Sequence, residues 1–357
     1  MSSVLEKLKK NCRIKEAEVL AESSFYSEKD VTPTSVPMIN VALSGSIDGG
    51  LTSGLTVLAG PSKHFKTSFA LLMASAYLKK HPDAALMFYD SEFGSPQAYF
   101  ESFGIDTSRV LHIPIKNIEE LKFDIVHQLE TVERTDKIII VIDSVGNLAS
   151  KKELEDAMNE KSVADMTRAK SLKALFRMVT PYLTMKNIPL LAINHTYKTQ
   201  EMYSKDVVSG GTGITYSADN IWILGRQQDK EGTEIQGYHF IINVEKSRFV
   251  KEKSKIPISV SWEGGIQKWS GLLDVALEGG YVVKPKNGWY VAYDPATKTE
   301  LSGNLRAAQT LTKEFWETIF TKTSFAAYIK KKYTIGLREM ISNTIEDVNE
   351  DEESIDE

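Results

Sequence analysis

Cysteine is almost absent from this chain. Cys12 is the only one in 357 residues, so no intrachain disulfide can form and nothing points to an oxidising compartment. Long apolar runs are missing as well. The best of them, Ile138 to Ile142, is far too short to span a bilayer. Met1 to Asn11 mixes Val4, Leu5 and Leu8 with Lys7, Lys9 and Lys10 and lacks the apolar centre of a signal peptide. The expectation is a cytoplasmic protein with no membrane partner. An excess of positive charge is also lacking: the net charge of −5 argues at first sight against nucleic acid. Yet Glu346, Asp347, Glu350, Asp351, Glu352, Glu353, Asp356 and Glu357 contribute −8, which leaves +3 for everything before them. The body is mildly basic and the acid sits in a tail, expected to be solvated and disordered, or else to compete for a basic site.

What is present is a phosphate loop. Gly60-Pro61-Ser62-Lys63-His64-Phe65-Lys66-Thr67 lies between the apolar run Leu55 to Ala59 and the helical pattern of Phe69 to Leu78. A strand that feeds a turn and then a helix points backbone N–H groups and a helix N-terminus at an anion. Gly60 to Ser68 is therefore the candidate triphosphate site, with Lys66 on the β and γ phosphates and Thr67 on Mg²⁺. The G-x-x-x-x-G-K-[ST] pattern has glycine before the lysine, and here that position is Phe65.

From Val31 to about Ser270, apolar runs at 55–59, 86–89, 138–142, 190–193 and 221–224 alternate with helical patterns. Such alternation predicts an α/β core with a mostly parallel central sheet, ligands at the carboxyl ends of the strands, and an antiparallel pair over 238–244 and 256–260. The helix after Ser162 carries an apolar stripe through Val179 and is expected to stop at Pro181. Residues 1–30 read as a helix and arm for protomer contact, 31–270 as the nucleotide-binding core, 271–345 as a C-terminal extension and 346–357 as the acidic tail.

Two strand ends carry acids. Asp143 closes the run from Ile138, beside the phosphate loop, where it can orient Mg²⁺ through water; the rival is a turn-capping aspartate. Tyr89-Asp90-Ser91-Glu92 ends another strand, and Glu92 has the better reach to polarise an attacking water. The fourth apolar run ends in Asn194 and His195. Residues 196–213 follow without helical or strand period, and connections that long are usually functional or disordered, a mobile surface loop being the plain alternative. Tyr197, Lys198, Lys205, Gly210 and Gly211 there suit a segment that stacks on bases and touches phosphates. A second candidate DNA-binding loop runs from Ser150 to Lys161, with Arg168 on the helix beyond.

The order of phosphate loop, Asp-Ser-Glu, Ile-Asp-Ser and Asn-His before a glycine-containing loop resembles the RecA family of DNA recombinases. Phe65 before Lys66, Ser150-Lys151-Lys152-Glu153 and Val283-Lys284-Pro285-Lys286-Asn287-Gly288-Trp289-Tyr290 are similar to its T-even bacteriophage members. The resemblance implies that Tyr99 stacks on adenine and that Glu92 activates water. It also implies that His195 senses the γ-phosphate where bacterial members carry glutamine. Lys246 and Arg248 resemble the basic pair that reaches the neighbouring subunit's nucleotide. The implied function is ATP-dependent, Mg²⁺-requiring DNA strand exchange by a helical homo-oligomeric filament. Its partners would be single-stranded DNA, a homologous duplex, and single-strand-binding and loading proteins. A hexameric helicase and a non-hydrolysing ATP-gated mediator are the alternatives.

Overall fold

The computed structural model describes residues 3–23, 30–159, 167–199, 204–231 and 234–336. Strand β1 (Gly54–Ala59) is buried at every position, as are β4 (Ile138–Asp143) and β5 (Pro189–Asn194). Strands this short and this apolar need cover on both faces, and helical crossovers provide it, which makes the pairing parallel. With β2 (Ala85–Asp90), β3 (Val110–Pro114), β8 (Asn220–Glu231), β9 (Glu234–Lys246), β10 (Lys255–Ser261) and β11 (Gly265–Ile266) they form one sheet. Among the described residues it has nine strands, ordered β11-β10-β9-β8-β1-β5-β4-β2-β3. The six from β8 to β3 run parallel, and β9, β10 and β11 extend the sheet antiparallel. The predicted α/β class and antiparallel pair stand.

Helix α3 (Lys66–Lys80) packs on one face with Phe69, Met73 and Tyr77, and the short α4 (Gln97–Ser102) adds Phe100 to the same cluster. The other face is covered by α5 (Ile118–Thr131) and α7 (Thr167–Met185). Beyond the sheet, α9 (Leu272–Glu278), α10 (Lys313–Lys322), α11 (Phe325–Tyr333) and a small three-stranded sheet, β12 (Val282–Val283), β13 (Val291–Asp294) and β14 (Thr299–Glu300), close the described chain. Their Trp316 and Phe325 share an apolar cluster with Met38 and Ile39 of α2 (Pro37–Ser44), and Lys251 N–H donates to the Tyr333 carbonyl. At the other end, α1 (Ser3–Asn11) lies exposed.

Several expectations need correction. Pro181 does not end its helix, which runs on to Met185. Pro181 and Arg177 lie on the exposed side, so the carbonyl that a proline nitrogen cannot bond faces outward rather than into the core, and the buried stripe continues from Val179 to Leu183. Within 150–161, Lys151–Met158 is a helix, α6, capped by the reciprocal bonds of Ser150 and Glu153. Residues 196–213 are not periodless: β6 (Thr196–Lys198) and β7 (Asp206–Val208) pair as an antiparallel ribbon, followed by α8 (Thr212–Ser217). Strand β3 went unforeseen, because an edge strand with exposed Leu111 and His112 has no unbroken apolar run.

Candidate functional site

Strand β1 delivers Gly60 to the carboxyl edge of the sheet between β5 and β8, the crevice in which open α/β sheets bind ligands. Lys63 and Phe65 adopt left-handed backbone conformations, φ 61° and 54°. Left-handed residues in a short turn curl N–H groups toward one point, which suits an anion. For phenylalanine this conformation costs about 1–2 kcal/mol, offset by its ring packing at 5.2 Å on Phe240 of β9. A side chain thus does at this position what glycine's freedom does in the usual loop.

Lys66 opens α3, is 6% exposed and folds its ammonium over the loop to donate to the Pro61 carbonyl at 2.8 Å. Burial lowers its pKa, opposed by the charges of Glu92 and Asp143. Next to it, Thr67 Oγ1 donates to Asp143 Oδ2 at 2.8 Å. Among the described residues, Asp143 Oδ1 is buried with no hydrogen-bond partner. Burial pushes this carboxyl up to about 6, with Glu92 and Asp90 adding and the Thr67 hydroxyl and Lys66 opposing. An orphaned carboxylate oxygen beside a threonine hydroxyl is a hard-oxygen set that fits Mg²⁺. Among the described residues no group of three or more His, Cys, Asp or Glu side chains could hold a metal. The remaining ligands would be substrate phosphates and water, the usual arrangement for Mg²⁺.

Glu92 follows β2. Its turn is held by Asp90, whose Oδ1 accepts from the N–H groups of Glu92 (3.0 Å) and Phe93 (2.7 Å) while Oδ2 lies 3.1 Å from His112 Nε2. Glu92 Oε1 accepts from Ser144 Oγ and faces His195 Nε2 at 3.1 Å. The His195 hydrogen bond comes first among the causes that hold Glu92 down at about 2; burial opposes, and Ser144 and Lys66 assist. In the nucleotide-free protein these contacts favour the ionised form of Glu92. Gly146 leaves room for His195: a Cβ there would lie 2.5 Å from its Cδ2.

His195 also joins the site to the ribbon. Its carbonyl accepts from Ser209 N–H at 2.9 Å, and the neighbouring Asn194 side chain donates to the Ser209 carbonyl at 2.8 Å. On the ribbon Tyr197 is 54% exposed, Lys198 pairs loosely with Asp206, and Lys205 is exposed. Gly210 and Gly211, with φ 94° and 78°, turn the chain into α8. Arg168 is not an open cation: its guanidinium donates to the carbonyls of Val145, Gly146 and Leu148, tying α7 to the turn after β4. Lys161 lies outside the described residues.

Phosphate loop, Glu92, Asp143 and His195 line one cleft of about 460 Å³, together with Tyr99, whose hydroxyl lies 2.5 Å from Ser68 Oγ. Lys246 and Arg248 are not there. Lys246 donates to the carbonyls of Thr215 and Tyr216, and Arg248 pairs with Asp219, which accepts from Leu55 N–H at the start of β1. The six residues of β1 separate that point from the phosphate loop, about 20 Å. This pair cannot serve the cleft of its own chain. Ser144, Gly146 and Asp219 escaped the sequence reading, since each acts through a neighbour distant along the chain, whereas Asp90 and Asn194 were read as strand ends without the turn and ribbon contacts they make.

The RecA N-terminal domain model matches residues 2–267. A second model, the C-terminal domain of the bacteriophage T4 recombination and repair protein, matches residues 269–329. The recombination and repair protein of Enterobacteria phage T4 is 52% identical over 356 residues, 99% of this chain and 90% of that one. Protein RecA of Chloroherpeton thalassium is 28% identical over 71% of this chain and 72% of its own, and that of Bacteroides thetaiotaomicron 26% over 88% and 92%.

Proposed function

The chain belongs to the RecA family and is a RecA-type recombinase; from that premise we propose that it hydrolyses ATP with Mg²⁺ while polymerised on single-stranded DNA, and exchanges strands with a homologous duplex. The observation that carries this reading is the double attachment of His195, to Glu92 in the cleft and to Ser209 at the ribbon. A group that touches both the water-activating carboxylate and a candidate DNA-binding element lets each bias the other.

ATP would lie with its phosphates on the N–H groups of residues 60–68 and Lys66, and its base against Tyr99. Thr67 and Asp143 would hold Mg²⁺, which when bound neutralises phosphate charge. Glu92, ionised and aimed by Ser144 and His195, is placed to orient the attacking water and accept its proton. As the γ-phosphate departs, His195 loses an anion to bond and falls back on Glu92, and the Asn194–Ser209 ties carry that change to the ribbon. Tyr197, Lys198 and Lys205 would contact bases and backbone, which requires no sequence readout because base pairing supplies it.

Lys246 and Arg248 lie at the amino-terminal edge of the sheet and the triphosphate cleft at the carboxyl edge. Stacking one protomer's amino edge on the next one's carboxyl edge would set the pair over a neighbour's phosphates. Such head-to-tail contacts repeat without closing and yield a helical filament. Single-strand-binding and loading proteins are further partners of this reading, and the host-cell cytoplasm is its place of action. Electron microscopy with ATP and single-stranded DNA, beside a strand-exchange assay, tests it. Nucleotide-dependent filaments that exchange strands are expected. Closed hexameric rings that unwind duplex, or equal DNA binding with and without ATP, would overturn it.

A further inference from the structure

Arg226, near the middle of β8, reaches across to the phosphate loop. Its Nη1 donates to the Lys63 carbonyl at 2.9 Å, and its Cζ lies over the Tyr238 ring on β9, 4.6 Å from the ring centre. Tyr238 in turn stands 6.0 Å from Phe240, the residue that receives Phe65. The two contacts grip the loop at its two left-handed non-glycine residues, Lys63 and Phe65. The first antiparallel strands of the sheet thus form a wall, and the wall touches the loop where the loop is most strained.

We propose that Arg226 is a positioning residue for ATP binding: through the Lys63 carbonyl, and with Tyr238 and Phe240 behind it, it holds a glycine-poor phosphate loop in its anion-binding shape. Glycine before the lysine would adopt φ near +54° without strain, whereas phenylalanine holds it only while something outside the loop favours that conformation. Arg226 is exposed and its partners are the Lys63 carbonyl and the half-buried Tyr238, so the effect of its removal should fall on the loop rather than on the fold. Because the guanidinium lines the cleft, it adds positive potential there as well. A lysine in its place retains the charge and a donor but not the fixed fork geometry of the guanidinium.

The inference rests on the reading of the cleft as an ATP site, and the experiment separates the two. A fluorescent ATP analogue with Mg²⁺ is titrated into the wild-type protein, Arg226→Met, Arg226→Lys, Phe240→Leu, and each of these in a Phe65→Gly background. Arg226→Met is expected to weaken binding about tenfold, the scale of one hydrogen bond from a charged donor, with Arg226→Lys in between. The rate of hydrolysis at saturating ATP should change less than twofold and the melting temperature hardly at all. In the Phe65→Gly background the loss from Arg226→Met and from Phe240→Leu should shrink to threefold or less, since glycine needs less holding. Equal affinity in wild type and Arg226→Met, or an unchanged tenfold loss with Phe65→Gly, overturns the positioning role while ATP binding itself stands. No saturable binding by the wild-type protein overturns both.

Discussion

His195 Nε2 lies 3.1 Å from Glu92 Oε1, although the two residues stand 103 positions apart and end different strands. The contact holds the carboxylate that would activate water against the side chain that would sense the departing phosphate. Glu92→Gln should keep ATP binding within about twofold while cutting single-stranded-DNA-stimulated hydrolysis by ~10²-fold or more. His195→Ala should keep both binding and basal hydrolysis within an order of magnitude, yet remove most of the stimulation by DNA, because the Glu92-to-ribbon path is cut. Lys66→Ala should lose nucleotide binding altogether. Steady-state ATPase assays with and without oligonucleotide, beside equilibrium nucleotide binding, distinguish the three patterns.

The phosphate loop, Glu92 and Asp143 were legible because each is local: an unbroken apolar run followed at once by a polar residue marks a strand end, and strand ends in a parallel sheet converge. The ribbon at 196–208 was hidden because its few residues alternate weakly and pair only across a connection. Helix α6 carried a readable signal, Ser150 three residues before Glu153, which lysines and acids suggestive of a loop outweighed. Pro181 misled because a proline on an exposed helix face gives up one bond to water without breaking the buried stripe. Asp219, Ser144 and Arg226 had no sequence signal at all, since their partners Leu55, Glu92 and Lys63 meet them only in the folded sheet.

Asp143 gives a pH dependence whose sign is fixed. Its folded value, about 6, lies above the ordinary 3.8, so the native state binds the proton more tightly than the unfolded chain. The stabilisation this brings is complete below the unfolded value and lost as pH rises through about 6. At neutral pH the ionised, half-orphaned carboxylate is therefore a burden on the nucleotide-free protein. Asp143→Asn should stabilise that protein by about 3 kcal/mol at pH 7.5 and by little at pH 4. Mg²⁺-dependent ATP binding by the wild type should weaken as pH falls through about 6, and Asp143→Asn should abolish that trend. Thermal melts across pH, and nucleotide titrations with and without Mg²⁺, measure both.

The acidic C-terminus, outside the described residues, holds eight negative charges among residues 346–357. If it competes with DNA for the basic surface of the same molecule, deleting it should tighten single-stranded DNA binding several-fold at low salt, roughly three- to tenfold. The gain should fade as salt screens the competition beyond a Debye length. Fluorescence anisotropy across a salt series follows it. Equal affinities at every salt concentration would leave the tail a solvated appendage.

Lys246 and Arg248 offer the strictest test of head-to-tail assembly, because they lie about 20 Å from the cleft of their own chain, across the six residues of β1. Arg248→Ala protomers have intact clefts but defective amino edges, and Glu92→Gln protomers have the reverse. Each alone should hydrolyse ATP poorly on DNA. Mixed one to one, about a quarter of the interfaces should pair a sound cleft with a sound basic edge, if protomers stack at random in a heterologous polymer. ATPase activity should then recover to roughly that fraction of wild type. No recovery, in mixtures that electron microscopy shows to be co-assembled, would mean that the pair does not reach a neighbour's nucleotide and only shapes the fold around Asp219.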